Sequence, residues 1–284
     1  MLRSLFAGIS GMKANQIALD VAGNNIANAN TIGYKSSSTV FQDTLSQMLS
    51  GASSANVGQG SRNPIQVGLG VQLAATAMNL GQGSAQTTGR PTDLMISGDG
   101  MFVVQADGEQ LYTRAGAFNF DAAGALVTPT GARVQGYLLD ASGAVTGGLV
   151  DITLDNANAV PAVPAGVELR SYSFGPDGVL TGVYDDGISR SLGQLAMADF
   201  NNPMGLERVG DTAFRESPSS GAADFGVSGE GRRGNLMVGS VEMSNVDLAA
   251  EFTNLILAQR GFQASSRVIT TSDQVLEDLV NLKR

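Results

Sequence analysis

The stretch from Ser244 to Lys283 constrains the fold of this chain more than any other part of it. Apolar residues recur there at every seventh position: Leu248, Leu255, Phe262, Ile269 and Leu276. Only a helix that repeats every 3.5 residues keeps such positions on one face, so the pattern predicts a long C-terminal helix. Ser244 followed by Asp247 resembles a capping box with Asp in place of Glu. About forty residues at ~1.5 Å per residue predict a rod of ~60 Å, which is longer than a small domain can cover.

The interior of this predicted helix is poor in helix formers. It contains Gly261, Thr270 and Thr271, and the glycine alone costs ~1 kcal/mol relative to alanine. The row beside the main stripe is apolar only near its ends, at Phe252 and Val280. We therefore expect a helix that becomes ordered on assembly. The alternative is an ordinary amphipathic helix that closes a globular domain, because a single apolar stripe is common in such helices.

A second heptad pattern covers residues 1 to about 28 and predicts an N-terminal helix. A glycine- and asparagine-rich segment at 23–35 then predicts a turn out of that helix. If the intervening chain folds as one body, the two terminal helices must pair antiparallel, and the longer one needs a neighbouring molecule to cover its overhang. The predicted assembly interface comprises Leu2, Leu5, Ile9, Met12, Leu19, Ile26, Leu248, Phe252, Leu255, Phe262, Ile269 and Leu276.

Between the helices the sequence pattern changes to a period of two. Residues 81–215 alternate apolar and polar positions, with Asp-Gly turn signals between the alternating runs, and predict an all-β domain. Nine strands are predicted, at 93–96, 101–105, 110–113, 117–120, 125–127, 133–138, 167–174, 179–184 and 193–199. Residues 141–166 are small and contain proline, which predicts a loop or a reduced insertion. A short helix at 40–49 and a strand at 67–73 are expected before the β domain.

The chain is thus predicted to have an α+β fold, an all-β central domain flanked by long N- and C-terminal helices that pair as a coiled coil in an assembly. The expected segments are 1–35, the N-terminal helix of an inner coiled-coil domain; 36–80, an extended linker arm; 81–215, the all-β domain; 216–243, a return segment; and 244–284, the C-terminal helix of the inner domain.

Composition excludes several classes of function. The net charge is −9 and only three lysines occur, which argues against nucleic acid or an anionic membrane as partner. Cysteine and histidine are absent, which removes thiolate chemistry, histidine-based triads and nearly all zinc, copper and haem sites. We expect no cofactor and no metal. The first residues lack a continuous apolar core, so no cleavable signal peptide is predicted.

No constellation of residues in the sequence points to catalysis. Asp177, Asp185 and Asp186 stand beside glycines, and their spacing lacks the alternating acids of a calcium loop, so they are interpreted as turn residues. The remote alternative is a secreted carbohydrate-active β protein that uses Asp185 and Asp186 as its paired acids.

Several motifs resemble those of the bacterial flagellar rod and hook family. They cover both ends of the chain and much of the β domain: 5–12, 23–35, 98–104, 112–116, 244–248 and 258–263. Tyr34 and Met101 replace the family's usual phenylalanines, which are conservative changes. The segments 63–71, 200–206 and 281–284 are most similar to the hook branch. The outer domain of most hook proteins is missing here or shrunk to 141–166, which gives the chain the length of the distal rod branch.

The resemblance implies a structural subunit rather than an enzyme. The function expected from it is that of a hook subunit, which polymerises into a curved tube that transmits torque and encloses the export channel. A distal rod subunit is the alternative. The implied partners are further copies of the chain, the distal rod protein, the hook–filament junction protein, the hook cap and the export apparatus. The implied location is the extracellular flagellum, reached by export without a cleaved signal peptide.

Overall fold

The computed structural model describes residues 2–54, 60–140, 143–155, 158–164 and 167–281. Its helices are α1 (Leu2–Ala27) and α2 (Leu248–Asn281). Its strands are β1 (Ser37–Asp43), β2 (Ser46–Ser50), β3 (Ile65–Gly68), β4 (Val71–Met78), β5 (Ala85–Thr87), β6 (Leu94–Ser97), β7 (Met101–Ala106), β8 (Glu109–Thr113), β9 (Asn119–Phe120), β10 (Leu126–Val127), β11 (Arg133–Leu139), β12 (Val145–Asp151), β13 (Leu169–Phe174), β14 (Val179–Tyr184), β15 (Ser189–Leu195), β16 (Met197–Asp199), β17 (Glu207–Gly210), β18 (Ala213–Arg215), β19 (Asp224–Gly226), β20 (Asn235–Val238) and β21 (Ser240–Glu242). The predicted α+β class, with a helix at each end of a β-rich centre, is confirmed.

The chain divides into two compact units. The helical unit comprises the described residues of 1–27, 36–79 and 246–284, and the β unit comprises those of 28–35 and 80–245. Over the full sequence of the segments 1–27, 36–79 and 246–284, acidic and basic residues are equal in number: Asp20, Asp43, Asp247, Glu251, Asp273, Glu277 and Asp278 against Arg3, Lys13, Arg62, Arg260, Arg267, Lys283 and Arg284. The whole net charge of −9 therefore belongs to the β unit.

In the helical unit, α1 and α2 run antiparallel, as the sequence predicts. The hydroxyl of Ser4, near the start of α1, lies 3.4 Å from that of Ser272, late in α2. Asn25, near the end of α1, donates to Glu251 in the first turn of α2 at 3.0 Å. The start of α2 differs from the prediction, because Asp247 rather than Ser244 caps the helix. The Asp247 carboxylate accepts the free N–H groups of Ala249 and Ala250, at 2.9 and 3.2 Å.

Two antiparallel strand pairs complete the helical unit. Strand β1 pairs antiparallel with β4, and β2 pairs antiparallel with β3. The helix predicted at 40–49 is therefore wrong. The apolar residues of 40–49 have helical spacing, but Ser37 to Val40 have weak helix propensity. The backbone from Ser37 to Asp43 instead pairs antiparallel with Val71–Met78. Such long-range pairing is not visible in a local sequence pattern.

The β unit contains the hydrophobic core of the chain. Its main sheet has the order β13-β14-β15-β11-β7-β8-β18-β17, and the strand pairs along it are antiparallel. The core beneath it includes Phe102, Phe118, Leu126, Leu180, Leu195 and Met197. Each of the nine predicted strands appears in the structure, and the boundaries of eight differ by a few residues from the prediction. The last predicted strand begins earlier, at Ser189, and is divided into two strands after Leu195. The segment 141–166 was predicted to be a loop or a reduced insertion, and it contains β12, which pairs with β11, so the prediction of a loop is wrong for 145–151.

A buried ion cluster joins the segment after α1 to the end of the β unit. The Lys35 ammonium donates to the carboxylate of Glu242 at 2.6 Å and to the carbonyl of Gly81 at 3.0 Å. The Arg114 guanidinium lies 3.4 Å from the other oxygen of Glu242. All three side chains are almost fully buried. Burial lowers the pKa of Lys35, and the hydrogen bond that Lys35 donates to Glu242 opposes that change.

The same cluster explains the motif Gly33-Tyr34-Lys35. The Gly33 N–H donates to the backbone carbonyl of Glu242 at 2.8 Å, with a φ of +70°. A Cβ at this position would lie 2.5 Å from the backbone nitrogen of Ala115, so a side chain has no room. The guanidinium of Arg208 stacks on the Tyr34 ring, 5.0 Å from its centroid.

We expect the substitution Glu242→Ala to destabilise the β unit by ~3–5 kcal/mol, because it leaves two buried cations without their carboxylate. Urea unfolding followed by tyrosine fluorescence measures the effect. Glu109→Ala is the matched control, because Glu109 is exposed and its partner Arg215 is 3.5 Å away, so its loss should be small. Equal losses in both variants would contradict a structural role for the cluster.

Candidate assembly surface

Small side chains form the line along which α1 and α2 approach each other. Ala14, Ala22 and Ala258 are buried. A Cβ added at Gly8 would lie 3.1 Å from Cγ1 of Ile269, and one added at Gly11 would lie 2.9 Å from the hydroxyl of Ser265. The helices therefore pack closely because large side chains are absent from the line between them.

Apart from Ile269, which lies against Gly8, the apolar rows predicted to form the interface lie beside this line. Leu5, Met12, Leu19, Ile26, Leu255, Phe262, Ile269 and Leu276 are half-buried. Three further members are exposed, namely Ile9 at 41 %, Leu248 at 45 % and Phe252 at 52 %. The side chain of Leu2 lies outside the described residues. The structure thus leaves much of the predicted surface uncovered within one chain.

Exposed apolar side chains are concentrated in the helical unit. Among the described residues they are Phe6, Ile9, Val40, Phe41, Leu45, Met48, Leu49, Ile65, Val67, Leu69, Leu248, Phe252, Ile256, Leu257, Val268, Val275 and Val280. The β unit exposes far fewer: Val145, Ile188, Met204, Val209 and Met237. The buried apolar side chains described in the helical unit are small apart from Met78. This unit has a large apolar surface and almost no core, a combination that marks an interaction site.

A buried asparagine, Asn25, connects three elements of the helical unit. The Asn25 side chain is fully buried, and its amide donates to the carbonyl of Ser37 at 2.7 Å and to the Glu251 carboxylate at 3.0 Å. The N–H of Ser37 donates back to Asn25 at 3.1 Å. One side chain thereby joins α1, β1 and α2. Sequence reasoning interpreted Asn25 only as a turn residue.

The line of small residues was also missed from the sequence, although a signal for it exists. Ser4, Gly8, Gly11, Asn15, Ala18, Ala22 and Asn25 alternate spacings of four and three, which is a heptad repeat without large apolar residues. A search for apolar stripes treats these residues as interruptions.

The acids considered for catalysis are engaged with arginines. Asp185 pairs with Arg170, and Asp186 pairs with Arg190. Asp186 also accepts the N–H of Ile188 at 3.0 Å, as a turn residue does. The hydrogen bond from Arg190 lowers the pKa of Asp186, whereas a general acid needs a raised pKa. In the described part of the chain, no cluster of acidic residues is arranged to hold a metal, and neither helix is apolar enough over a sufficient length to cross a membrane.

Three family models match the chain. They are the flagellar basal body rod protein model at residues 5–35, the D1 domain of flagellar hook protein FlgE/F/G at 95–182, and the flagellar basal body rod FlgEFG protein C-terminal model at 237–282. The first and third cover most of α1 and α2, and the second covers the middle of the β unit.

Similar proteins match over the full length. The flagellar basal-body rod protein FlgG of Bacillus subtilis is 43 % identical over 285 residues, covering all of both chains. FlgG of Caulobacter vibrioides is 35 % identical over 99 % of this chain and 100 % of its own. The flagellar hook protein FlgE of Borreliella burgdorferi is 29 % identical, over all of both chains, in an alignment of 441 residues. The resemblance inferred from the motifs is confirmed, and the chain belongs to the family of structural proteins of the bacterial flagellar rod and hook.

Proposed function

We propose that this chain is a subunit of the distal part of the flagellar rod. Support comes from the relatives named FlgG, which align end to end at nearly the same length. The alignment with the hook protein FlgE is much longer than this chain, so that relative has residues without a counterpart here. The hook function inferred from the sequence is not confirmed, and the alternative, a distal rod subunit, has the better support.

The observation that carries a structural function is the apolar surface of the helical unit. A unit that exposes residues such as Phe6, Phe252 and Leu257 gains free energy when another molecule covers them, at ~25 cal/mol per Å² of apolar area. The partner we propose is a further copy of the same chain. Contacts between different faces of successive copies produce an open helical polymer when the rotation between copies does not close into a ring, and an open polymer is what we propose here.

The proposed contacts between copies are made by the interface residues expected from the sequence, from Leu2 to Ile26 and from Leu248 to Leu276. Exposed apolar residues of the segment 37–78, including Leu45 and Met48, extend that surface. The proposed location is the flagellar basal body. The junction protein and the hook cap, expected as partners of a hook subunit, are not part of the rod proposal.

We expect Leu255→Asp, Phe262→Asp or Ile269→Asp to abolish assembly, because each places a charge in an apolar contact. The melting temperature of the β unit should stay unchanged. Sedimentation measures assembly, and circular dichroism of the same samples measures melting. Gln259→Asp is the matched control at an exposed position of the same helix. Parallel losses of melting temperature and assembly would mean that these side chains stabilise the single chain instead.

We expect the terminal helices to be largely unfolded in a dilute monomer, because they bury little apolar surface and contain Gly, Ser and Thr. Amide hydrogen exchange should then show residues 1–30 and 245–284 unprotected, while the core strands of the β unit are protected. Strong protection of both ends in a sample verified as monomeric would contradict this expectation.

We expect a strain that lacks the gene to have basal bodies with a shortened rod and neither hook nor filament. Electron microscopy of isolated basal bodies distinguishes this outcome from an intact rod without a curved segment, which would instead support the hook function. Reintroducing the gene on a plasmid should restore the full rod and serves as the control.

A further inference from the structure

We propose that side chains of unequal size along the α1–α2 seam, above all Asn15 set against Gly261, select the register in which the two terminal helices pair. The seam is defined here as Ser4, Gly8, Gly11, Asn15, Ala18, Ala22 and Asn25 of α1 with Glu251, Asn254, Ala258, Gly261, Ser265, Val268 and Ser272 of α2. This role goes beyond the proposed rod function, because it concerns how the two helices of one chain pair and not which structure the copies build.

The register is constant along the seam. Ser4 meets Ser272, Gly11 meets Ser265, Asn15 meets Gly261 and Asn25 meets Glu251. The two residue numbers have the same sum in all four pairs, as two antiparallel helices in a single register require. The helices therefore stay in step over nearly the whole length of α1.

A seam of this kind is ambiguous by itself. Its positions repeat every seven residues, and most of them carry Gly, Ala or Ser. A shift by one heptad would keep the backbone spacing and place small residues against small residues again. Some feature of the seam must therefore distinguish the observed register from the two registers shifted by one heptad.

The layer of Asn15 and Gly261 makes this distinction by size. The Asn15 amide donates to the carbonyl of Gly11 at 2.7 Å, which holds the side chain flat against its own helix. A Cβ on Gly261 would lie 2.5 Å from Oδ1 of Asn15 and 2.9 Å from its Cγ. The asparagine thus occupies the space that the glycine leaves empty. A shift by one heptad would set Asn15 against Asn254 or Val268, both of which are larger than glycine.

The hydrogen bonds of Asn25 also favour the observed register of α1 and α2. Asn25 is fully buried and uses Glu251 and Ser37 as partners. In one shifted register it would face Ala258, and in the other it would face residue 244, which precedes α2. Either shift removes the Glu251 acceptor from a buried amide, which is unfavourable. A buried asparagine specifies register in coiled coils in the same way.

The register matters for assembly because it decides which part of α2 extends past α1. Helix α1 has 26 residues and α2 has 34. A shift by one heptad moves one helix along the other by ~10 Å, at ~1.5 Å per residue. The apolar residues offered to a neighbouring copy would then be displaced by the same distance.

Engineered disulfides test the proposal cleanly, because the chain contains no cysteine. Ser4→Cys with Ser272→Cys reports the observed register. Ser4→Cys with Ser265→Cys and Ala18→Cys with Ser265→Cys report the two shifted registers. Each pair is placed in the full-length chain, oxidised in sedimented samples, in which the terminal helices are expected to be ordered, and quantified on non-reducing gels.

We expect the native pair to form its crosslink in the parent chain and Gly261→Asn to lower that yield by about tenfold, because overpacking costs enough to displace the register. The exchange variant Asn15→Gly with Gly261→Asn should restore the yield, because the layer keeps one large and one small residue. Gly23→Asn is the matched control, since nothing lies within 4 Å of a Cβ there.

Three results would overturn the proposal. They are a parent chain that does not form the native crosslink, a Gly261→Asn variant that keeps the native yield, and an exchange variant that fails to regain it while its β unit melts normally. The readout reports register within one chain. A failure of the proposed rod function would leave these crosslinks unchanged, so the two failures are distinguishable.

Discussion

The close approach of α1 and α2 is the constraint on which the rest of the helical unit depends. Glycine, alanine and serine between two helices allow tight contact but bury little apolar area, so they supply little of the hydrophobic free energy that normally holds a domain together. The large apolar residues are displaced to the flanks, where Phe252, Ile256 and Leu257 are exposed. We therefore expect a chain arranged in this way to fold completely only when other molecules cover those flanks.

The β unit, in contrast, has a buried hydrophobic core. It closes a core of fully buried residues such as Phe102, Leu126 and Met197, and it places the ion cluster of Lys35, Arg114 and Glu242 where the chain enters and leaves the sheet region. Such a cluster contributes little net stability relative to apolar packing, but loss of one partner leaves the others as buried charges without compensation. The segment containing Gly33 and Lys35 is therefore held within the β unit by specific contacts.

How much could be predicted from the sequence depended on the range of each interaction. Strands such as β7 and β14 were predicted because alternation and Asp-Gly turns are local signals. The terminal helices were predicted from heptads. Strand β1 was missed because its partner β4 is distant in sequence, from Asp43 opposite Val71 to Ser37 opposite Met78. Strand β12 was missed because it lies within a segment of small residues. The seam at Asn15 and Gly261 was missed because its signal is the absence of large side chains.

The division of charge between the two units has a consequence for solution conditions. If copies associate through the neutral helical unit, every copy added brings nine further net negative charges on its β unit. Attraction is then short-ranged and apolar, while repulsion acts between like-charged units over a Debye length of ~10 Å at 0.1 M salt. Ionic strength would act on the repulsion alone, so dilute buffer would favour separate chains and added salt would lower the concentration at which they associate.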